Sequence, residues 1–196
     1  MIYTMSMNLG TIWSNKKIQN NRIFKNTSIK RNNVIKVPQV QIINVSGTAS
    51  KSYWGGVVWM FFHTISVRIN GDYYSNNHQY VWDFIKKICK TLPCPYCQQH
   101  ASVYVDKIAI HQINTKDKLK TVLFNFHNSV NNRIGKKSEN ISILNKYNKA
   151  NVKAIFDLFE QRFFHSYIGT RTFNDWIKNA VKKEYYDFFN NVRTKF

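Results

Sequence analysis

Thr91-Leu92-Pro93-Cys94-Pro95-Tyr96-Cys97 is the stretch on which the fold turns. Cys94 and Cys97 form a Cys-x-x-Cys, and Cys89 is the only other cysteine in the chain. Pro93 stops whatever element precedes it. Pro95 follows Cys94 directly, where its fixed φ suits the first turn of a helix and its missing N–H is no loss. A helix is therefore predicted from Tyr96 to about Ile108, with both cysteines at its N-terminus. There the unpaired N–H groups and the macrodipole favour a thiolate. A thioredoxin-like domain would set the motif after a β-strand. Here the residues before it, Asn77 to Lys90, carry Tyr80, Val81, Phe84, Ile85 and Ile88 at helical spacing. The motif lies between two helices, and the chain reads as all-α.

Moving outward, the same period recurs. Trp54, Val57, Val58, Phe61, Phe62 and Ile65 form a wide apolar stripe from Lys51 onward, which Asn70-Gly71-Asp72 is expected to end with a loop. Beyond the motif helix, Leu119, Val122, Leu123, Phe126, Val130 and Ile134 line a further helix from about Thr115, with Gly135 placed as its C-cap. Four helices with short connections make a four-helix bundle the economical fold for residues 51 to about 137. Residues 138–149 read as a polar connection. Two extra C-terminal helices are predicted, roughly 150–167 and 172–193. The domain reading is 1–50, a basic N-terminal arm; 51–149, the bundle domain; and 150–196, a helical extension.

Composition bounds the function. The 196 residues carry a formal net charge of +19, from 29 Lys and Arg against 10 Asp and Glu. Such an excess admits nucleic acid, an acidic surface or a phosphate ligand as partner. Residues 1–50 hold Lys16, Lys17, Arg22, Lys25, Lys30, Arg31 and Lys36 and no acid. This arm reads as flexible, or as a transit peptide, rather than as a secretory signal. Short strands are conceivable within 34–43, broken by Pro38. No apolar run reaches the roughly 18 residues of a membrane span. Three cysteines are too few for a secreted disulfide scaffold.

Two chemistries fit the cysteines. Cys89, Cys94, Cys97 and His100 could supply three thiolates and an imidazole to tetrahedral zinc, making the chain a non-enzymatic zinc-bearing adaptor. All four, however, fall within one short stretch, whereas structural zinc sites join separated ligand pairs. The redox reading needs only Cys94 and Cys97 and an electron acceptor held in the bundle. Trp54, Trp59 and His63 share the first helix; His127, Asn128 and Asn131 share the fourth. Cys89 itself reads as a buried hydrophobe. A basic nucleic-acid-binding protein is a third reading, with no recognised fold motif behind it.

Three motifs in order favour the redox reading over the other two. They are Trp54-Gly55-Gly56-x-x-Trp59-x-Phe61-Phe62-His63-Thr64, Leu92-Pro93-Cys94-x-x-Cys97, and Phe126-His127-Asn128-x-Val130-Asn131-x-Arg133-Ile134-Gly135-Lys136. Together they closely resemble the Erv/ALR FAD-linked sulfhydryl oxidases, over about residues 51–137. The Asn- and Lys-rich composition and the extensions look most like the versions carried by large DNA viruses. The resemblance implies a bundle that cradles FAD, is usually a homodimer, and passes electrons from a thiol pair to FAD and then to O2, giving hydrogen peroxide. It implies that Cys94 exchanges with a substrate dithiol and that Cys97 is the sulfur next to the flavin. Trp54, Gly55, Gly56, Trp59 and His63 would line the flavin. His127, Asn128, Val130 and Asn131 would hold the adenosine end, and Lys136 would face the pyrophosphate. The implied partners are proteins with dithiols, a thioredoxin-like relay among them. The implied location is the cytoplasm or virion if viral, the mitochondrial intermembrane space if cellular. The chain departs from the cellular pattern where a second disulfide would join the third and fourth helices, since Asp106 and Phe124 stand at the matching positions. Neither extension holds a shuttle cysteine pair, so substrate electrons must arrive directly at Cys94. Tyr147 is the stand-in for an adenine-stacking tryptophan that cannot be aligned.

Overall fold

The structure, a computed structural model, describes residues 51–167 and 174–196. The expected arm and the strands within 34–43 lie outside the described residues. Six α-helices run in order: α1 Lys51–Arg68, α2 Gly71–Cys89, α3 Pro95–Asp106, α4 Lys116–Arg133, α5 Val152–His165 and α6 Asp175–Val192. Two 3₁₀ segments, Ile110–Gln112 and Ile141–Lys149, lie between them. Among the described residues there is no strand, and the all-α bundle read from the sequence stands.

Local chemistry sets most of the boundaries. Thr115 caps α4 by accepting from the Lys118 N–H, and Asn151 and Asn174 cap α5 and α6 in the same way. The loop expected at Asn70-Gly71-Asp72 is a correction. Asn70 caps α2 by accepting from the Tyr73 N–H, so Gly71 is already helical. The predicted start at Asn77 survives as a kink within α2, where φ is −131°. The Asn77 side chain donates to the Tyr73 carbonyl four residues back, and such local bonding bends a helix.

The expected polar connection at 138–149 is also corrected. Ile141–Lys149 is a 3₁₀ segment that buries Leu144 and Tyr147 against α1. Leu144 and Tyr147 stand three residues apart, which puts them on one face where three residues make a turn.

The core does not stop at the bundle. Phe61 of α1 stacks on Phe159 of α5 with ring centroids 4.0 Å apart, and Phe84 of α2 stacks on Phe188 of α6 at 3.8 Å. Tyr185 of α6 donates its hydroxyl to the Phe156 carbonyl. The apolar stripes of α1 and α2 are therefore covered from within the chain, and residues 150–196 share one hydrophobic cluster with 51–149. Asp106 ends α3 between Lys86 at 3.2 Å and Lys90 at 2.9 Å, both on the α2 side. These are exposed ion pairs of modest worth.

Candidate functional site

Cys94 is the N-cap of α3, and Pro95 is the first helical residue. The Cys94 sulfur accepts the Cys97 N–H at 3.2 Å and the Cys97 thiol at 2.6 Å, and both cysteines are half-buried. The helix's free N–H group thus goes to Cys94. Cys97 does not meet the expectation of a favoured thiolate. Its thiol is pushed up to about 12, first by burial and then by the hydrogen bond it donates to Cys94, with Lys51 pulling the other way. The macrodipole is outweighed because burial costs the charged form more than one helix end returns. Cys89 is fully enclosed in α2, and burial pushes its thiol up too. Among the described residues, Cys89, Cys94, Cys97 and His100 do not converge as a ligand set.

A second feature lies between α1, α4 and the 3₁₀ segment. It is a cavity of about 350 Å³ lined by His63, Phe124, His127, Asn128, Asn131, Lys136, Lys137, Glu139, Ile143, Lys146 and Tyr147. His63 Nε2 and His127 Nδ1 are 2.9 Å apart and share one hydrogen bond. Trp59 stacks on His127 with centroids 4.2 Å apart and planes at 8°. Burial first, then the His127 and Lys146 charges, holds His63 down at about 3. Burial first, then Lys146 and Lys136, holds His127 at about 4. Both rings are neutral at pH 7. Among the described residues, His63 Nδ1 and Thr64 Oγ1 are buried without a hydrogen-bond partner.

The mouth of the cavity is built by backbone geometry. Gly135 adopts φ +71°, the left-handed conformation that suits glycine after a helix end. The Lys136 N–H then reaches the Asn131 carbonyl at 2.8 Å and the Gly135 N–H the Asn132 carbonyl at 3.2 Å, the paired bonds of a Schellman turn. This turn swings Lys136 and Lys137 over the cavity. Asn128 fixes the loop beyond, donating to the Glu139 carbonyl at 3.0 Å and accepting the Glu139 N–H at 2.9 Å.

Of the residues singled out in the sequence, His63, His127, Asn128, Asn131 and Lys136 meet at this cavity. Trp59 joins them by stacking on His127. Trp54 is buried in the core and Val130 packs against it, both away from the cavity lining. Gly55 and Gly56 lie on α1, where an added Cβ would meet nothing within 4 Å. Two glycines in a helix cost about 1 kcal/mol each relative to alanine, and none of the described residues fills the space they leave. Tyr104 of the motif helix stacks on Phe126 at 4.3 Å, and Phe126 meets Trp59 edge-on at 5.1 Å. An aromatic path thus runs from α3 to the histidine pair. Sequence reading missed Lys146 and Phe124; the spacing of Leu144 and Tyr147 was the signal that 141–149 folds inward.

The Erv1 / Alr family model matches residues 57–157, just over half of the 196-residue chain. The chain belongs to that family. It is 32% identical over 84 residues to a protein of Invertebrate iridescent virus 3 provisionally named FAD-linked sulfhydryl oxidase 096R, covering 42% of this chain and 57% of that one. It is 28% identical over 85 residues to the FAD-linked sulfhydryl oxidase of African swine fever virus, covering 43% of this chain and 71% of that one. A similarly and provisionally named protein of Frog virus 3 matches over 94 residues at 27% identity, 46% of this chain and 63% of that one. The chain thus spans 57 to 71% of the length of these relatives. No solved structure matches. Among the described residues of this family member, no helix is long and apolar enough to cross a membrane.

Proposed function

We propose that this chain is an FAD-dependent thiol oxidase that forms disulfide bonds in protein substrates. The observation that carries the reading is the joining of two features in one fold. One is a dithiol at 2.6 Å capping α3; the other is an aromatic cavity rimmed by Lys136, Lys137 and Lys146. The residues fit the cofactor. The cationic rim suits a pyrophosphate. His63, which lines the cavity, keeps its Nδ1 without a hydrogen-bond partner among the described residues. Gly55 and Gly56 leave open space beside α1, the helix that carries Trp59 and His63. The volume lies at the small end of ligand sites and takes one end of a dinucleotide.

In the oxidised enzyme, Cys94 and Cys97 form a disulfide. A substrate thiolate attacks Cys94 Sγ, a mixed disulfide forms, and Cys97 leaves as a thiolate. A second substrate thiolate attacks the sulfur joined to Cys94, closing the substrate disulfide and releasing Cys94. Two electrons have then entered the pair, with protons taken up from solvent or substrate. Bound FAD would accept those electrons, re-form the Cys94–Cys97 disulfide and deliver them to O2 as hydrogen peroxide. Asn128 holds the loop through one hydrogen bond from each amide atom to Glu139, and its second N–H and second lone pair remain for a ligand in the cavity it lines. His63 and His127 stay neutral, so they add no charge beside the ring of Trp59.

Substrates on this reading are dithiol proteins, a thioredoxin-like relay among them, and the viral relatives favour the cytoplasm or virion as the location. A homodimer would need a surface other than the apolar stripes of α1 and α2, which α5 and α6 cover. The test is direct. Purified full-length protein should be yellow, lose its flavin colour when given dithiothreitol without air, and yield peroxide when air returns. A colourless protein that takes up no FAD and oxidises no dithiol would refute the proposal.

A further inference from the structure

The distribution of charge around the dithiol is lopsided. Tyr96, the residue between Pro95 and Cys97, is 60% exposed. The Arg133 guanidinium lies 4.7 Å over its ring and donates to its hydroxyl at 2.7 Å. Lys51 stands on another side, 5.9 Å from the ring centre, and its charge reaches Cys97. His100 meets the ring edge-on at 4.5 Å. Among the described residues, neither Arg133 nor Lys51 forms an ion pair.

The segments outside the described residues hold no acid. All 10 acidic residues lie between Asp72 and Asp187, outside both the N-terminal 50 residues and 168–173. Six of them, on α3, α4, α5 and α6, are held in ion pairs. Asp106, the acid on the motif helix itself, is at the opposite end from Cys94. With a rise of 1.5 Å per residue, that is about 18 Å away. The rim of the dithiol therefore presents two uncompensated cations and a large exposed ring beside the sulfurs.

We propose that this rim is the docking surface for the protein substrate, and that it selects dithiols flanked by acidic residues. The inference rests on the oxidase reading and names the substrate class of that same site. Carboxylates on either side of the incoming thiols meet Arg133 and Lys51, while Tyr96 supplies apolar contact next to Cys94. The attraction concentrates acidic substrates at the dithiol and orients their thiolate toward Cys94, so it acts on kcat/KM and is screened by salt. The chemical step is the exchange already described: substrate thiolate to Cys94, Cys97 leaving, two electrons retained in the pair.

The test uses the full-length FAD-loaded protein and three Cys-x-x-Cys peptides that differ only in acidic, neutral or basic flanks. Oxygen uptake is measured for each, with dithiothreitol as a small uncharged reference. The acidic peptide should exceed the basic one in kcat/KM by on the order of tenfold at low salt, with the gap closing towards about 0.5 M salt, where screening lengths fall to a few ångströms. In the double variant Lys51→Glu, Arg133→Glu, with rates normalised to that variant's own dithiothreitol rate, the ranking should reverse. In Lys153→Glu, Lys183→Glu, which changes net charge equally on α5 and α6, the ranking should persist. Equal rates for acidic and basic peptides in a protein that oxidises dithiothreitol would overturn the docking proposal alone. So would an unchanged preference in the Lys51, Arg133 variant, because net charge rather than this rim would then select. Failure to oxidise dithiothreitol would overturn the oxidase reading, and the docking proposal with it.

Discussion

Lowering the pH should loosen the protein through its two cavity histidines. His63 and His127 are held at about 3 and about 4 in the folded chain, against 6.5 when unfolded. The unfolded state therefore binds protons that the folded state refuses. Stability is full above about pH 6.5 and falls as pH drops through the window between 6.5 and these lower values. At pH 5 the solution stands about 1.5 below the unfolded value, so each ring costs on the order of 2 kcal/mol, at about 1.4 kcal/mol for each pH unit. That figure holds for any folded value at or below about 4, which makes it insensitive to the depth of the depression. Both rings together remove on the order of 4 kcal/mol, a large share of the 5–15 kcal/mol typical of a domain. Urea unfolding of the FAD-free protein at pH 7.5, 6 and 5 measures the loss. The control is His63→Gln, His127→Gln, which keeps polar side chains at both positions but cannot titrate. Its curve should be flatter than the parent's by about that amount between pH 7.5 and 5. Parallel curves would refute the reasoning, since acid sensitivity would then come from the chain's overall positive charge.

Three further outcomes are expected. Lys136→Glu should weaken FAD retention by at least tenfold in equilibrium dialysis, while Lys183→Glu should barely change it. Lys136 rims the cavity, whereas Lys183 is spent on an exposed pair with Asp187 on α6. Cys89→Ala should keep thiol-oxidase turnover within about threefold in an oxygen-electrode assay, because Cys89 is enclosed in α2 and only a small packing loss follows. Phe159→Ala should cost about 3–5 kcal/mol in urea unfolding, since its ring is fully buried and stacked on Phe61. A loss below about 1 kcal/mol would make α5 an appendage.

The helices were legible because their apolar stripes repeat at a helical period, and the start of α3 was placed to within a residue by Pro95. The dithiol was legible for the same reason: a proline at the first helical position leaves Cys94 only the capping role. What covers a stripe is a different matter. Phe61 reads as core whether it meets Phe159, another bundle helix or a second chain, so nothing in its spacing announced that α5 would take it. Asn128 illustrates a related limit. An asparagine on a helix face beside an expected ligand reads as a ligand contact, yet its amide matches a peptide unit in both donor and acceptor. Here it also pairs with the peptide at Glu139, a second role that its place on the helix face does not announce.

The 3₁₀ segment was hidden by its composition. Asn, Lys and Ser surround Leu144 and Tyr147, and a window averaged over the segment sees only polarity. Yet this segment brings Lys146 and Tyr147 to the cavity, and Lys146 is part of what keeps both histidines neutral. The dependence runs further back along the chain. Gly135 lets α4 end in a left-handed residue, the Schellman bonds turn Lys136 inward, and Asn128 holds the loop that leads into 141–149. A Cβ at Gly135 would meet no atom within 4 Å, so the demand for glycine there is on φ and not on space. The cavity is therefore specified less by the residues that line it than by a backbone conformation outside it. Its cations and its neutral histidines are consequences of where that turn sends the chain.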